Sequence, residues 1–189
     1  MEQLSNWLEQ EIKTRCDSES NFFGPTAFYH IKAVEENAEF LADRIGNVDK
    51  DVVVAASWLH DVASVTNKEY YEDHHIYGAQ IAEDILKEKN YPEEKIPLVK
   101  NCILNHRGSV LKEKLSKEEQ IVADADAISH FDQVPSLFYL AFEVKGLSYE
   151  EGLEFVKGKL KRSYNKLSDE SKEIYKDKYK DVMKVLGEK

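Results

Sequence analysis

His60 and Asp61 stand side by side in the most apolar stretch of the chain, between Trp58-Leu59 and Val62-Ala63. A carboxylate carried into such surroundings loses its hydration, so it must be paired, exposed or bound to a cation. Three further histidines keep similar company. At helical spacings of three and four, His30 shares a face with Ala27, Ile31 and Val34, and His74 aligns with Gly78, Ile81 and Ile85. His106 ends the row Val99, Cys102, Ile103. A lone histidine on an apolar face is most often a core residue with one hydrogen bond. Several inward histidines and an inward aspartate on different helices instead suit a divalent-metal site in the core of a helical bundle.

The elements that must position these residues are helices. Glycine (8) and proline (4) are scarce among the 189 residues, and no strand-like alternation with tight hairpin turns occurs. Capping boxes are legible at Ser116-x-x-Glu119 and Ser148-x-x-Glu151, and stops at Gly46-Asn47 and Gly146. The pattern predicts about nine helices, near 3–14, 26–45, 49–63, 74–89, 95–106, 117–131, 134–145, 149–166 and 169–186. Helix 49–63 has almost no polar face and belongs at the centre, whereas the last two are amphipathic. The expected architecture is all-α, one single-domain bundle over residues 1–189, with the chemistry-bearing core at about 25–131 and helices 134–186 packed on it.

Composition narrows the class. With 42% hydrophobic and 33% charged residues the chain reads as globular, and no apolar run reaches the ~20 residues of a membrane span. The start lacks a basic, apolar leader, so a cytoplasmic location is expected. Cys16 and Cys102 lie far apart and imply neither a disulfide framework nor a cysteine zinc site. A net charge of −10 opposes binding of duplex nucleic acid. A small anionic substrate is compatible with it where bound cations reverse the sign locally.

The order His30, then His60-Asp61, then a later aspartate in Ala123-Asp124-Ala125-Asp126 resembles the signature of the HD-domain superfamily of metal-dependent phosphohydrolases. His74-His75-x-x-Gly78-Ala79 and His106-Arg107-Gly108-Ser109 extend the resemblance, toward a small HD subgroup with an HRGS segment and a late DAD segment. The resemblance implies a metal bound by His30, His60, Asp61 and Asp126. Helical phase alone does not separate Asp124 from Asp126; the small residue and aliphatic after the second favour Asp126. The family pattern places a histidine four before the glycine, which selects His74 over His75. His74 and His106 match the extra histidines of two-metal branches, or bind phosphate beside a single metal. His130 is expected to be second-shell or surface.

Mixed imidazole and carboxylate ligands suit Mn²⁺, Fe²⁺, Co²⁺ or Ni²⁺, with Mg²⁺ a further candidate. Some HD nucleotidases carry an acid three or four residues after the His-Asp pair, where this chain has Ser64 and Val65. Asp124, Glu72 and Asp73 are the alternative acid–base candidates, Asp61 and Asp124 being the expected catalytic carboxylates. Arg107 has the fork suited to phosphate, and Lys157, Lys159, Lys161 and Arg162 read as the solvated face of their helix. The implied function is hydrolysis of a phosphoester or phosphoanhydride of a small phosphorylated substrate, a nucleotide by preference. Two other classes share these residues: an HD-fold di-iron oxygenase and a non-catalytic, metal-stabilised nucleotide-binding module.

Overall fold

Asp49 accepts hydrogen bonds from the backbone N–H groups of Asp51 and Val52 and starts a helix in which every residue from Val52 to Leu59 is buried. Around that central rod the other helices arrange themselves. The computed structural model describes residues 2–107 and 116–188, and within them the regular structure is helical throughout. The α-helices are α1 (Glu2–Cys16), α2 (Ala27–Ile45), α3 (Lys50–Leu59), α4 (Val62–Thr66), α5 (His74–Glu88), α6 (Ile96–Asn105), α7 (Lys117–Asp132), α8 (Val134–Tyr139), α9 (Tyr149–Lys166) and α10 (Asp169–Val185). A 3-10 turn (Lys68–Tyr70) precedes α5 and a π-helical turn (Leu140–Val144) follows α8. No helix of the described residues is long and apolar enough to cross a membrane.

Ser148 and Glu151 make both halves of the expected capping box at α9; at α7 Ser116 accepts from the Glu119 N–H, while the Glu119 carboxylate accepts from Asn105 Nδ2 at 2.9 Å. Gly46 and Gly146, each at φ 63°, provide the left-handed turns after α2 and before α9.

Two expected helices depart from the prediction. The continuous rod 49–63 is broken: His60 caps α3, and Asp61 at φ −108°, ψ 16° leaves the helical region before α4 begins. The His60-Asp61 pair therefore occupies a helix–helix junction, not two successive positions of one helix. Helix 134–145 is likewise α8 plus the π-helical turn.

Two apolar clusters hold the bundle. One, around Leu8, Ile12, Trp58, Leu59, Leu86 and Ile103, joins α1 with α3–α6; the other, around Val34, Leu41, Ile128, Val156 and Leu160, joins α2 with α7–α10. At Gly78 a Cβ would meet Ile103 Cγ2 at 3.3 Å and the His60 carbonyl oxygen at 3.7 Å. The missing side chain lets α5 lie close against both α6 and the α3–α4 junction.

Glu35 interrupts the buried face of α2. It accepts a 3.2 Å hydrogen bond from Ser5 Oγ, which itself accepts from Trp58 Nε1 at 3.1 Å. Burial, reinforced by Glu39, raises its pKa from 4.5 to about 7. The folded state thus binds the extra proton, and stability contributed by that proton is lost as pH rises from 4.5 through 7. Glu35→Gln is expected to stabilise the fold at about pH 8 by up to about 3 kcal/mol, and to be neutral near pH 4. Denaturant unfolding of both proteins at the two pH values checks this; a variant less stable than the parent at the higher pH contradicts it.

Candidate metal centre

Four imidazoles converge in the interior, each fixed by its Nδ1. The carbonyls in the last turn of a helix lack intrahelical partners, and two ligand histidines use them. His60 Nδ1 donates to Ser57 O (2.8 Å) at the end of α3, and His106 Nδ1 to Ile103 O (2.6 Å) at the end of α6. His74 Nδ1 donates to Tyr71 O at 2.7 Å. Ser129 Oγ gives its own proton to Asp126 O (2.7 Å), so toward His30 Nδ1 (2.9 Å) it accepts. All four rings are therefore anchored through Nδ1 and turn Nε2 inward, where a neutral ring presents a lone pair.

The lone pairs face two carboxylates. Asp61 Oδ2 lies 3.5 Å from His60 Nε2, while Asp61 Oδ1 lies 3.6 Å from His74 Nε2 and 3.9 Å from His106 Nε2. Asp126 Oδ1 lies 3.5 Å from His30 Nε2. These separations are too long for hydrogen bonds. Two ligand atoms each about 2.1 Å from one ion stand about 3–3.5 Å apart, so the spacing is nearer that of co-ligands. Two donor groups result, His30–His60–Asp126 and Asp61–His74–His106, with the atoms of each within 4.8 Å of one another. The rings of His60 and His106 are 5.2 Å apart, so the groups adjoin. Asp61 reaches both.

Burial and charge make a cation the fitting occupant. His60 is fully buried, and its Nε2 has no hydrogen-bond partner. Burial pushes the Asp61 carboxyl up, while positive charge beside it, contributed first by the His60 ring, holds it well below the usual carboxylate range; Asp61 in turn raises the His60 pKa against burial. Burial, followed by His60, lowers the His106 pKa to about 3, which keeps that ring a neutral ligand near neutral pH. Asp126 is also held well below its ordinary value: burial opposes ionisation, but Lys166 and then His30 outweigh it. Lys166 Nζ sits 2.5 Å from Asp126 Oδ2, leaving Oδ1 for His30.

The centre opens on a cavity of about 320 Å³, whose walls include His30, Asp61, His74, His106 and Asp126. Arg107 also faces it, with its Nη1 donating to Glu72 O at 2.6 Å. Gly108 and Ser109 of the same segment lie outside the described residues. His74, not His75, reaches Asp61. His130 is buried in the cavity wall, its ring 4.9 Å from that of His30 and its Nδ1 3.2 Å from Ser163 Oγ. Burial and then Lys159 keep it neutral.

Two expectations need correction. Asp124 does not join the centre: it accepts from Gln120 Nε2 (2.8 Å), Ser168 N (3.1 Å), Ser168 Oγ (2.5 Å) and Ser171 Oγ (2.7 Å). Its lone pairs are committed to the start of α10, and it takes no part in the cavity wall. Glu72 and Asp73 are exposed and also absent from that wall. The second correction concerns α9, whose Lys159 and Arg162 line the cavity with Lys166; Arg162 is solvated as expected, whereas Lys159 is partly buried. Lys157 and Lys161 take no part in that wall and pair with Glu154 (3.4 Å) and Glu188 (2.8 Å). The spacing of Phe155, Lys159, Arg162 and Lys166, one helical face, was the signal available for this.

Residues 27–130 match the family model described as HD domain. Ribonuclease Y of Mycoplasma capricolum subsp. capricolum is 34% identical over 107 residues, covering 57% of this chain and 19% of that protein. Ribonuclease Y of Mycoplasma mycoides subsp. mycoides SC is 33% identical, with the same coverage of 57% and 19%. The match thus spans about a fifth of the length of these relatives. A crystal structure of a Lactobacillus plantarum protein shares the fold with a TM-score of 0.69 at 17% identity, over 98% of this chain and 94% of the other.

Purified protein reconstituted with Mn²⁺ is expected to hold about two ions per chain, one for each donor group. His106→Ala and His30→Ala should each lower that to about one, because each empties a different group. Elemental analysis after gel filtration reads the result; an unchanged stoichiometry in either variant refutes the two-group assignment.

Proposed function

The chain belongs to the HD-domain family of metal-dependent phosphohydrolases, and on that premise we propose that it hydrolyses a phosphoester or phosphoanhydride bond of a small phosphorylated substrate, with nucleotides the favoured class. The observation that carries this is the convergence of four inward-facing Nε2 atoms on two carboxylates at the floor of a cavity with cationic walls. Mn²⁺, Fe²⁺, Co²⁺ or Ni²⁺ would be held by His30, His60 and Asp126 and by Asp61, His74 and His106. When bound, such an ion supplies Lewis acidity and lowers the pKa of a coordinated water toward neutrality.

The chain's own residues have distinct tasks. The Nδ1 hydrogen bonds fix tautomer and ring orientation, so the ligands are preorganised. Lys166 holds one Asp126 oxygen and so aims the other. Arg107, tethered by the Glu72 carbonyl, offers its remaining N–H groups to a phosphate oxygen. Among the described residues, Asp61 and Asp126 are the only carboxylates in the wall, so no separate carboxylate base is assigned. Phe23, Ile31, Leu137, Leu140 and Phe155 give the cavity an apolar side on which a base or similar planar group can rest. The activity named for the relatives, that of a ribonuclease, is a narrower alternative; the net charge of −10 favours a small substrate over a polynucleotide. A cytoplasmic location is part of the proposal.

The anaerobic Mn²⁺ form is expected to release phosphate or pyrophosphate from at least one member of a panel of nucleotides. Asp61→Ala should lower turnover by about 10³-fold or more while circular dichroism stays helical, and Arg107→Ala should raise KM about tenfold. Inactivity on every phosphorylated compound, RNA oligonucleotides included, would defeat the proposal. Oxygen uptake by an iron-loaded form would then assign the same ligands to an oxygenase.

A further inference from the structure

Phe155, Lys159, Arg162, Ser163 and Lys166 all line the cavity, at spacings that put them on one side of α9. Of the α9 cations, Lys157, Lys161 and Lys166 each have an acidic partner, at 3.4, 2.8 and 2.5 Å. Lys159 and Arg162 have neither a hydrogen bond nor an ion pair among the described residues. Arg162 is exposed, whereas Lys159 is partly buried, attracted by Asp126 and Asp61 and repelled by Lys166 and Arg162. Gathering like charges around a partly buried lysine is unfavourable unless an anion enters between them. Asp61 and Asp126 do not meet that need, since both face imidazoles and Asp126 is already shared with Lys166. Arg107 adds a fourth cation to the wall. A bound divalent ion would increase the positive excess further.

One phosphate at the metal centre leaves these side chains unmatched; a chain of phosphates matches them. Arginine takes phosphate oxygens through its planar fork and lysine through point charge. A cavity of about 320 Å³ that gathers the cations together favours a short polyanion over an extended polynucleotide backbone, which is tracked along a groove. The positions also lie outside residues 27–130, where the family model ends.

We propose that Lys159 and Arg162, beside Lys166, form a subsite on α9 for phosphate groups beyond the one at the metal centre, so that the preferred substrate carries two or more linked phosphates. This subsite deepens the hydrolase reading above and rests on it for the identity of the reacting phosphate. The probe pair is methylenediphosphonate and methylphosphonate, neither of which can be hydrolysed, titrated calorimetrically into the Mn²⁺-loaded 189-residue chain in buffered excess Mn²⁺. The diphosphonate is expected to bind at least about tenfold more tightly than the monophosphonate. Lys159→Gln combined with Arg162→Gln should reduce that preference to about twofold with monophosphonate affinity unchanged, and Lys159→Arg should retain it. Equal binding of the two probes by the parent, or an undiminished preference in the double variant, overturns the subsite. The two readings fail separately. A preference that depends on Lys159 and Arg162, in a protein that hydrolyses no nucleotide, supports the subsite and removes the hydrolase. Hydrolysis of mono- and triphosphates with equal KM in parent and double variant keeps the hydrolase and removes the subsite.

Discussion

A carboxylate held among imidazole lone pairs, away from water, is the constraint on which the rest of this structure depends. Asp61 is almost fully buried, and every ring near it is anchored to a carbonyl through Nδ1 and turns its Nε2 toward the carboxylate. Without a cation, the buried Nε2 of His60 is unsatisfied, at a cost of about 1–3 kcal/mol for one such group. With one, the same atoms become ligands oriented before the ion arrives. The break between α3 and α4 follows from this demand. A continuous helix would have used the Ser57 carbonyl for its own ladder; ending at Leu59 releases it to the His60 ring.

The C-terminal helices are tied to the centre by neighbouring aspartates of α7. Asp124 grips Ser168 and Ser171 at the start of α10, and Asp126 grips Lys166 at the end of α9. The connection between α9 and α10 is thereby pinned along α7, which places the cationic face of α9 over the metal-binding floor. A chain with net charge −10 thus concentrates positive charge at one interior location. That local reversal admits an anion where the global field would repel it.

Much of this was legible in the residues. Ser116, Ser148 and Gly46 announced their helix ends because capping is local chemistry, and His30, His74 and His106 announced an interior site because polar residues interrupted apolar rows. The break at Asp61 was hidden: Val52–Val65 is apolar enough to read as one rod, and only the side-chain use of a carbonyl ends it. Helical phase left Asp124 and Asp126 equivalent, because both faces of α7 are buried and only the partners tell them apart. The cavity-facing role of Lys159 and Arg162 is hidden for a related reason. Leu153, Val156 and Leu160 supply an apolar stripe that appears to account for α9, yet the flank beside that stripe roofs the cavity. A polar face reads the same in sequence whether it meets bulk water or an enclosed site.

The central claim concerns where cations sit, and diffraction from crystals grown with Mn²⁺ tests it directly. Anomalous difference maps are expected to show one peak among His30, His60 and Asp126 and a second among Asp61, His74 and His106, with Asp61 contributing an oxygen to each. Maps in which both positions hold only water, with His60 Nε2 hydrogen-bonded to it, would contradict the account.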